Sequence, residues 1–137
     1  MQGKNIVTGV IGVDVHIMGL RIIEHALRRN GFNVHSLGVQ VSQEEFIAAA
    51  VETNAAAILI SSLGGQAEID CRGFREKCQE AGIGKVVLYV GGNLMVGEHP
   101  WKEVDRYFKG LGFDRIYSQN TLPNQVIADL KGDLGDK

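Results

Sequence analysis

The sequence predicts an α/β protein built on a five-stranded parallel sheet, doubly wound so that helices cover both faces. Short apolar segments alternate five times with segments of helical spacing, and no internal repeat, low-complexity tract or linker interrupts the alternation. The chain has 137 residues, which is the length of one domain with a sizeable core. We therefore expect residues 1–137 to form a single domain.

The first, third and fourth predicted strands are short, mainly apolar runs. The third, Ala55 to Ile60, is apolar throughout, which is typical of a strand buried on both faces of a parallel sheet. It stops at a polar, glycine-rich stretch that begins with Ser61, and the fourth strand runs into Gly91 and Gly92. In chain order, we predict strands over about 5–11, 32–37, 55–60, 85–90 and 114–117.

Apolar spacing and end signals predict five helices. Gly31 stops the first helix. Ser42 and Glu45 form a capping box at the start of the second. Pro100 and Pro123 stand in the first turns of the last two. The predicted helices cover about 19–30, 42–54, 68–81, 100–111 and from about 121 onwards, with a frayed tail from Gly132.

The apolar positions of these helices are expected to face the sheet. They are Leu20, Ile23, Ala26 and Leu27 in the first helix, Phe46, Ile47, Ala50 and Val51 in the second, Trp101, Val104, Tyr107, Phe108 and Leu111 in the fourth, and Val126, Ile127 and Leu130 in the last. The residues of the first helix expected to face outward are Arg21, Glu24, Arg28 and Arg29.

Composition excludes several functional classes. Hydrophobic residues make up 45% of the chain and charged residues 22%, and the formal net charge is -2, so the chain has no electrostatic reason to bind nucleic acid or an anionic membrane. No signal-peptide pattern precedes the first strand and no apolar run reaches membrane-spanning length, so we expect a cytoplasmic protein. Cys71 and Cys78 lack the close spacing of a zinc or thioredoxin-type site, and we expect reduced structural thiols.

An acid and an imidazole stand two residues apart where the first strand ends. Asp14 and His16 lie in the stretch from Gly12 to Gly19, between a predicted strand and a predicted helix. Residues i and i+2 of an extended chain point the same way, so the carboxylate can reach the imidazole and fix its tautomer. This arrangement suits a metal ligand or a general base, and it is equally compatible with a loop histidine beside a helix-capping aspartate.

Three unusual loops are expected to meet at one edge of the sheet. Five β–α units of this length fit the flavodoxin-like fold with strand order 2-1-3-4-5, in which strands one and three are neighbours. Ligands of such sheets bind beyond the carboxyl ends of the strands, where the strand order reverses. The loops that converge there carry Asp14 to His16, Ser61 to Leu63, and Gly91–Gly92. Glycine lets a ligand approach the backbone closely, so this edge is the predicted site.

Several ligands of this fold class do not fit these residues. A phosphoacceptor receiver domain needs an acid at the end of strand three and a lysine after strand five, where this chain has Ser61 and Tyr117-Ser118. A flavodoxin needs a hydroxyl-rich phosphate loop after strand one, and residues 13–18 offer a histidine and apolar side chains. The glycines lack dinucleotide-fingerprint spacing, and the other cysteines and histidines are not spaced to complete a zinc or iron site. A single histidine is sufficient only where a macrocycle supplies the other metal ligands.

The motif in these loops resembles that of the cobalamin-binding domain family. It runs Asp14-x-His16-x-x-Gly19, then 41 residues, Ser61-x-Leu63, then 27 residues, and Gly91-Gly92. The resemblance covers essentially the whole chain and points, within that family, to the small subunits (component S) of glutamate mutases. It implies adenosylcobalamin bound in the base-off, histidine-on form, with His16 replacing the cofactor's own dimethylbenzimidazole as lower axial ligand of cobalt. Asp14 would be the hydrogen-bond partner of His16.

The resemblance also implies where the rest of the cofactor lies. The detached base and its nucleotide tail would enter a slot between strand three and helix one, where Gly19 leaves room and Ser61 can form a hydrogen bond. The backbone from Gly91 to Gly97 would contact the corrin amides or the ribose phosphate, and contacts near 117–121 are left open. The implied cofactor-binding residues are Val13, Asp14, Val15, His16, Ile17, Gly19, Ser61, Ser62, Leu63, Gly65, Gly91, Gly92, Asn93, Leu94, Met95, Val96 and Gly97, with His16 as the metal ligand and no catalytic residue in this chain.

The sequence also predicts a partner, because the chain lacks a substrate-sized set of arginine and acidic residues besides this site. The resemblance implies a larger barrel-type catalytic subunit (component E), with two copies of each chain. It also implies interconversion of (S)-glutamate and (2S,3S)-3-methylaspartate by a radical rearrangement, and no activity of this chain alone. The alternatives are a corrinoid carrier for methyl transfer, the cobalamin-binding subunit of another mutase, and a cobalamin sensor or storage domain. Carriers usually have a helical segment before the domain, whereas strand one begins here within a few residues of Met1, which favours the mutase.

Overall fold

The computed structural model describes residues 4–12, 18–62, 67–92, 94, 99–118 and 121–135. Within them the predicted alternation of strands and helices is confirmed. The strands are β1 (Asn5–Val10), β2 (Asn33–Ser36), β3 (Ala57–Ser62), β4 (Val87–Gly92) and β5 (Arg115–Ser118). The helices are α1 (Met18–Arg29), α2 (Gln43–Thr53), α3 (Ala67–Asp70), α4 (Phe74–Glu80), α5 (Trp101–Gly110) and α6 (Pro123–Asp133).

The five strands form one parallel sheet in the order β2-β1-β3-β4-β5, as predicted. The strand order reverses between β1 and β3, which pair directly. β3 and β4 run beyond their predicted ends at 60 and 90, because Ser61 and Ser62 still pair with Gly91 and Gly92. The residues predicted to form glycine-rich loops therefore begin as paired strand ends, which fixes their positions relative to one another.

Two apolar clusters, one on each face of the sheet, hold the helices in place. On one face Leu27 of α1 and Leu130 of α6 pack over Ile6 and Leu59 of the strands. On the other face the helices α2, α4 and α5 contribute Phe46, Phe74, Cys78, Val104 and Phe108. Burial of an aliphatic or aromatic side chain of this size contributes roughly 1.5–3 kcal/mol, so these clusters dominate the packing of the layers.

The helix-end signals at Ser42 and Pro123 act as predicted, whereas Pro100 lies just before α5 as its N-cap and α6 continues past Gly132 to Asp133. Ser42 Oγ accepts a hydrogen bond from the Glu45 backbone N–H at 3.1 Å, and Glu45 Oε1 accepts one from the Ser42 N–H at 2.9 Å, which completes the capping box of α2. Asn54 ends that helix in the left-handed region at φ 54°. Pro123 occupies the first turn of α6, where its missing N–H has no helical partner to lose.

The third predicted helix is wrong as a continuous segment. Residues 68–81 form α3 and α4, separated by a turn in which Gly73 has φ +74°. Gln43 Nε2 donates to the backbone oxygens of Asp70 at 2.6 Å and Arg72 at 2.8 Å, so these carbonyls are satisfied by a side chain instead of by a continuing helix.

Three predicted side-chain orientations are also wrong. Val51 is 50% exposed and Trp101 is 44% exposed, although both were expected in the core. Val51 lies in α2 and Trp101 is the first residue of α5, and their helices pack on the sheet through other positions, Phe46 and Phe108 among them. Glu24 of α1 was expected to face outward and is fully buried.

The buried Glu24 has a specific partner in the first strand. Thr8 Oγ1 of β1 donates to Glu24 Oε2 at 2.5 Å, and both side chains are inaccessible to solvent. Arg21 Nη1, one turn earlier in α1, lies 3.5 Å from Glu24 Oε1, which has no hydrogen-bond partner among the described residues. A buried polar contact therefore joins α1 to β1.

The cysteines match their predicted role. Cys71 and Cys78 are free, buried thiols in the cluster under α2, α4 and α5. Burial raises the pKa of Cys71 to about 12 and that of Cys78 to about 11, so both remain protonated and poorly reactive near neutral pH.

Among the residues described, none of the helices has the length and apolar character needed to cross a membrane.

Candidate functional site

The carboxyl ends of the central strands form the framework of the site. In the sheet register Ser61 of β3 lies between Val10 of β1 and Gly91 of β4, and Gly91 in turn lies beside Tyr117 of β5. Because register partners in a parallel sheet point to the same face, these residues form one row on the side covered by α1 and α6. The predicted convergence of the strands at this edge is therefore confirmed for Ser61 and Gly91.

A cavity of about 190 Å³ lies over this row, between α1 and α6. We call it the α1/α6 cavity. Its lining is mainly apolar, with hydroxyl groups from two serines and a threonine and exposed backbone at glycines. The lining residues are Gly19, Leu20, Ile22, Ile23, Leu59, Ile60, Ser61, Tyr89, Val90, Gly91, Gly92, Tyr117, Ser118, Thr121, Pro123 and Val126.

Two tyrosine rings line the cavity on its sheet side. The rings of Tyr89 and Tyr117 meet edge to face, with centroids 5.4 Å apart and an interplanar angle of 67°. Burial, and then a hydrogen bond to Asp133, raise the pKa of Tyr89. Burial and a hydrogen bond to Asp129 raise the pKa of Tyr117 in the same way. Both hydroxyls are therefore protonated donors across the physiological pH range.

Glycine shapes the cavity at two of its edges. A Cβ added to Gly91 would stand 3.2 Å from Tyr117 Cβ and 3.4 Å from Tyr117 O, so a side chain there would press on a residue that lines the cavity. A Cβ added to Gly19, in the first turn of α1, would meet no atom within 4 Å. The free chain thus has space beside Gly19, next to the cavity.

The chain enters the Asp14/His16 segment from a constrained glycine. Gly12 has φ +75°, and a Cβ at this position would lie 2.4 Å from Asp70 Oδ2. A side chain is excluded both by the left-handed backbone and by the neighbouring carboxyl group. Gly12 therefore directs the chain as it leaves the edge of the sheet.

Apart from Leu94, the predicted site residues fall into three groups. Gly19, Ser61, Gly91 and Gly92 line the α1/α6 cavity, as expected for a slot that involves strand three and helix one. Ser62 is only 2% exposed and does not line the cavity. Predicted site residues that lie outside the described residues are Val13, Asp14, Val15, His16, Ile17, Leu63, Gly65, Asn93, Met95, Val96 and Gly97.

The side chain of Leu94 has a structural role. It is 3% exposed and belongs to the apolar cluster under α2, α4 and α5, on the other face of the sheet from the cavity. The prediction of a cofactor contact at Leu94 therefore concerns its backbone alone.

Sequence reasoning missed the part of the cavity that β5 and α6 provide. Tyr117, Ser118, Thr121, Pro123 and Val126 all line it, yet contacts near 117–121 were left open. A signal was available: strand five ends beside strand four, and the helix that follows it must return over the same face of the sheet as α1. The resulting slot has two helical walls, whereas the prediction gave it one.

Comparison with known proteins identifies the family. The B12 binding domain family matches residues 4–127. The glutamate mutase sigma subunit of Carboxydothermus hydrogenoformans is 57% identical over 135 residues, 98% of each chain. That of Clostridium tetani is 53% identical over 137 residues, 100% of each chain.

A solved structure shows the same fold. A cobalamin-binding protein from Desulfitobacterium hafniense superimposes with a TM-score of 0.78 at 19% identity, over 96% of this chain and 59% of that chain. The family match spans nearly all of the sequence, and the sigma subunits align with it from end to end. The chain therefore belongs to the B12 binding domain family and, within it, to the glutamate mutase sigma subunits.

Proposed function

We propose that this chain is the cobalamin-binding subunit of an adenosylcobalamin-dependent glutamate mutase, working in the cytoplasm. The proposal is supported by the family membership and carried by one structural observation. An apolar cavity opens between α1 and α6, next to the ends of β1, β3 and β4, which Asp14 and His16, Leu63 and Asn93 follow in the sequence. A cofactor with a detached base needs both features, a histidine-bearing loop and a slot for the base.

The described residues fit the nucleotide end of that cofactor. The α1/α6 cavity combines apolar walls and two tyrosine rings with the hydroxyls of Ser61, Ser118 and Thr121, which suits a flat aromatic base joined to a polar ribose phosphate. Gly19 and Gly91 leave the backbone accessible along its edges. This chain would therefore bind the tail and exclude water from it.

The coordination chemistry would come from the segment after β1. In the proposal His16 binds cobalt through one imidazole nitrogen, and Asp14 accepts a hydrogen bond from the other, which fixes the tautomer and increases the basicity of the ligand. Adenosylcobalamin supplies the cobalt–carbon bond whose homolysis starts a radical rearrangement. The chain's own task is to present and orient the cofactor.

The substrate would be bound by a second chain. We propose a larger barrel-type catalytic subunit, component E, with two copies of each chain, that covers the upper face of the corrin. The pair would interconvert (S)-glutamate and (2S,3S)-3-methylaspartate, and this chain would have no activity alone because it lacks the enclosing chamber that radical chemistry requires.

Reconstitution tests the proposal directly. The purified chain with adenosylcobalamin is expected to leave glutamate unchanged, and addition of purified component E is expected to produce 3-methylaspartate, followed by proton NMR. Product formed by the isolated chain would contradict the division of labour. Cobalamin binding without any glutamate rearrangement in the complete mixture would favour the methyl carrier.

Substituting Gly19 is expected to change the stability of the free chain and its affinity for cobalamin in opposite directions. Gly19→Ala is expected to stabilise the free chain by about 0.5–1 kcal/mol, because alanine favours helix and its Cβ meets no atom within 4 Å. The same methyl group would occupy space beside the cavity, and we expect cobalamin affinity to fall by about tenfold. Thermal unfolding and titration with cobalamin would measure the two effects.

A matched control lies on the other face of the sheet. Gly110, the last residue of α5, also has no atom within 4 Å of an added Cβ. Gly110→Ala should leave cobalamin affinity unchanged. If Gly19→Ala bound cobalamin as tightly as the original chain, the tail would not pass along α1.

A further inference from the structure

Two carboxyl groups of α6 hold the tyrosines of the cavity. Tyr89 Oη donates to Asp133 Oδ2 at 2.5 Å, and Tyr117 Oη donates to Asp129 Oδ2 at 2.7 Å. The two aspartates stand one turn apart in α6 and face the sheet. The helix that forms one wall of the α1/α6 cavity is therefore hydrogen-bonded to the side chains of β4 and β5 that line the same cavity.

One arginine completes the arrangement. Arg115 of β5 donates to both oxygens of Asp133, from Nε at 2.7 Å and from Nη2 at 3.0 Å. Its Nη1 lies 3.6 Å from Asp129 Oδ1. The hydrogen bond to Arg115 is the main reason why the pKa of Asp133 lies below its ordinary value. A single, geometrically restrained cation thus compensates part of the negative charge of two neighbouring carboxylates, and Gln125 Nε2 also donates to Asp129 Oδ1 at 2.9 Å.

The arrangement has a consequence for the cavity. Tyr89 is 2% exposed and Tyr117 is partly buried, and loss of the contact with α6 would leave either hydroxyl poorly satisfied. The hydrogen bonds therefore favour the orientation in which each hydroxyl reaches α6. In that orientation both rings line the cavity and contact each other edge to face. The hydrogen bonds therefore set the shape of the cavity surface before any ligand enters it.

We propose that Asp129 and Asp133 are positioning residues, which hold Tyr89 and Tyr117 as a preset surface for the nucleotide base of cobalamin. This inference rests on the proposed function. A binding surface that is already ordered avoids the entropy cost of immobilising side chains when the ligand binds. The tyrosine hydroxyls thus contribute to cobalamin affinity without touching cobalt or the substrate.

Deleting the hydroxyls while keeping the rings tests the inference. The double variant Tyr89→Phe/Tyr117→Phe is expected to bind cobalamin about tenfold more weakly than the original chain. Cobinamide, a corrinoid without the nucleotide tail, is expected to bind both chains equally. The ratio of the cobalamin affinity to the cobinamide affinity is measured by titration of the full chain. This ratio reports on contacts with the nucleotide tail and does not change when part of the protein is unfolded.

The chain offers a matched control. Tyr107, its third tyrosine, packs against the cluster on the opposite face of the sheet. Tyr107→Phe should leave both affinities unchanged. The single variants Tyr89→Phe and Tyr117→Phe provide the same test if the double variant does not fold, and each should lower the ratio by about threefold.

The outcomes are distinct. An unchanged ratio in all of these variants, or an equal loss for cobalamin and cobinamide, would overturn the inference. An original chain that binds neither corrinoid would instead overturn the proposed function. A ratio that falls in the Tyr89 and Tyr117 variants alone, and not in Tyr107→Phe, would support the inference.

Discussion

Replacing His16 by alanine is expected to lower the activity of the reconstituted mutase by more than about 100-fold, because even the hydrogen-bond partners of metal ligands are worth about 10- to 100-fold. In the proposal His16 is the imidazole ligand that this chain supplies to cobalt, so the substitution would remove that ligand. Asp14→Asn, which would remove the partner and keep the ligand, should weaken cobalamin binding by roughly 10- to 100-fold without unfolding the domain.

Spectroscopy tests the coordination independently of activity. With ¹⁵N-labelled histidine, the Co(II) paramagnetic resonance spectrum should show hyperfine coupling to one ring nitrogen, and His16→Ala should remove it. His25→Ala, at an exposed position of α1, is the control and should leave the coupling intact. Coupling that survives in His16→Ala would refute the assignment, and loss of folding in Asp14→Asn would indicate a structural role for that residue.

The sheet could be predicted because its signals are local and repeated. A parallel strand buried on both faces is a continuous apolar run, as at Ala57–Ile60, and a helix on such a sheet has one apolar face, as in α6. Strand order then followed from the number and length of the β–α units. Helix three was predicted wrongly as one segment because the local signal of Gly73, which has φ +74° in the turn, was not used. The second contribution comes from Gln43, a residue of another helix that binds the carbonyls of the turn.

The candidate site could be predicted only at residues that belong to the motif and lie at the ends of predicted strands. Ser61 and Gly91 were expected together because both follow apolar strands, and the register places them side by side. The contribution of the tyrosines to the site was not predicted, because Tyr89 stands within an apolar strand and its partner Asp133 lies 44 residues further along the chain. Such a contact depends on where α6 crosses the sheet, which local pattern does not specify.

The orientation of Glu24 shows how side-chain type can conflict with helical position. Glu24 lies four residues after Leu20 and three before Leu27, on the face that packs against the sheet, although a charged residue was expected to face outward. The compensating signal is Thr8, a hydroxyl in the mainly apolar β1. Neither residue alone predicts the contact. The hydrogen bond between them accounts for the burial of Glu24 and for the hydroxyl in β1.

Replacing Thr8 by valine is therefore expected to destabilise the domain by about 3 kcal/mol, although the two side chains have nearly the same shape. The substitution removes the sole donor that hydrogen-bonds to Glu24 among the described residues, and it leaves a fully buried carboxylate with only Arg21 nearby. An unsatisfied buried polar group bears its full desolvation penalty, which is larger for a charged group. For a chain of 137 residues this loss corresponds to a fall in Tm of about 10 °C.

The double variant Thr8→Val/Glu24→Leu provides the decisive comparison. Replacing both partners by apolar groups removes the unsatisfied carboxylate together with its donor, so much of the stability lost in Thr8→Val should return. Thermal and urea unfolding of the two variants and the original chain would measure the coupling. Equal stability of Thr8→Val and the original chain would show that Glu24 does not depend on Thr8. Recovery in the double variant would show that the stability lost in Thr8→Val comes from the buried carboxylate left without its donor.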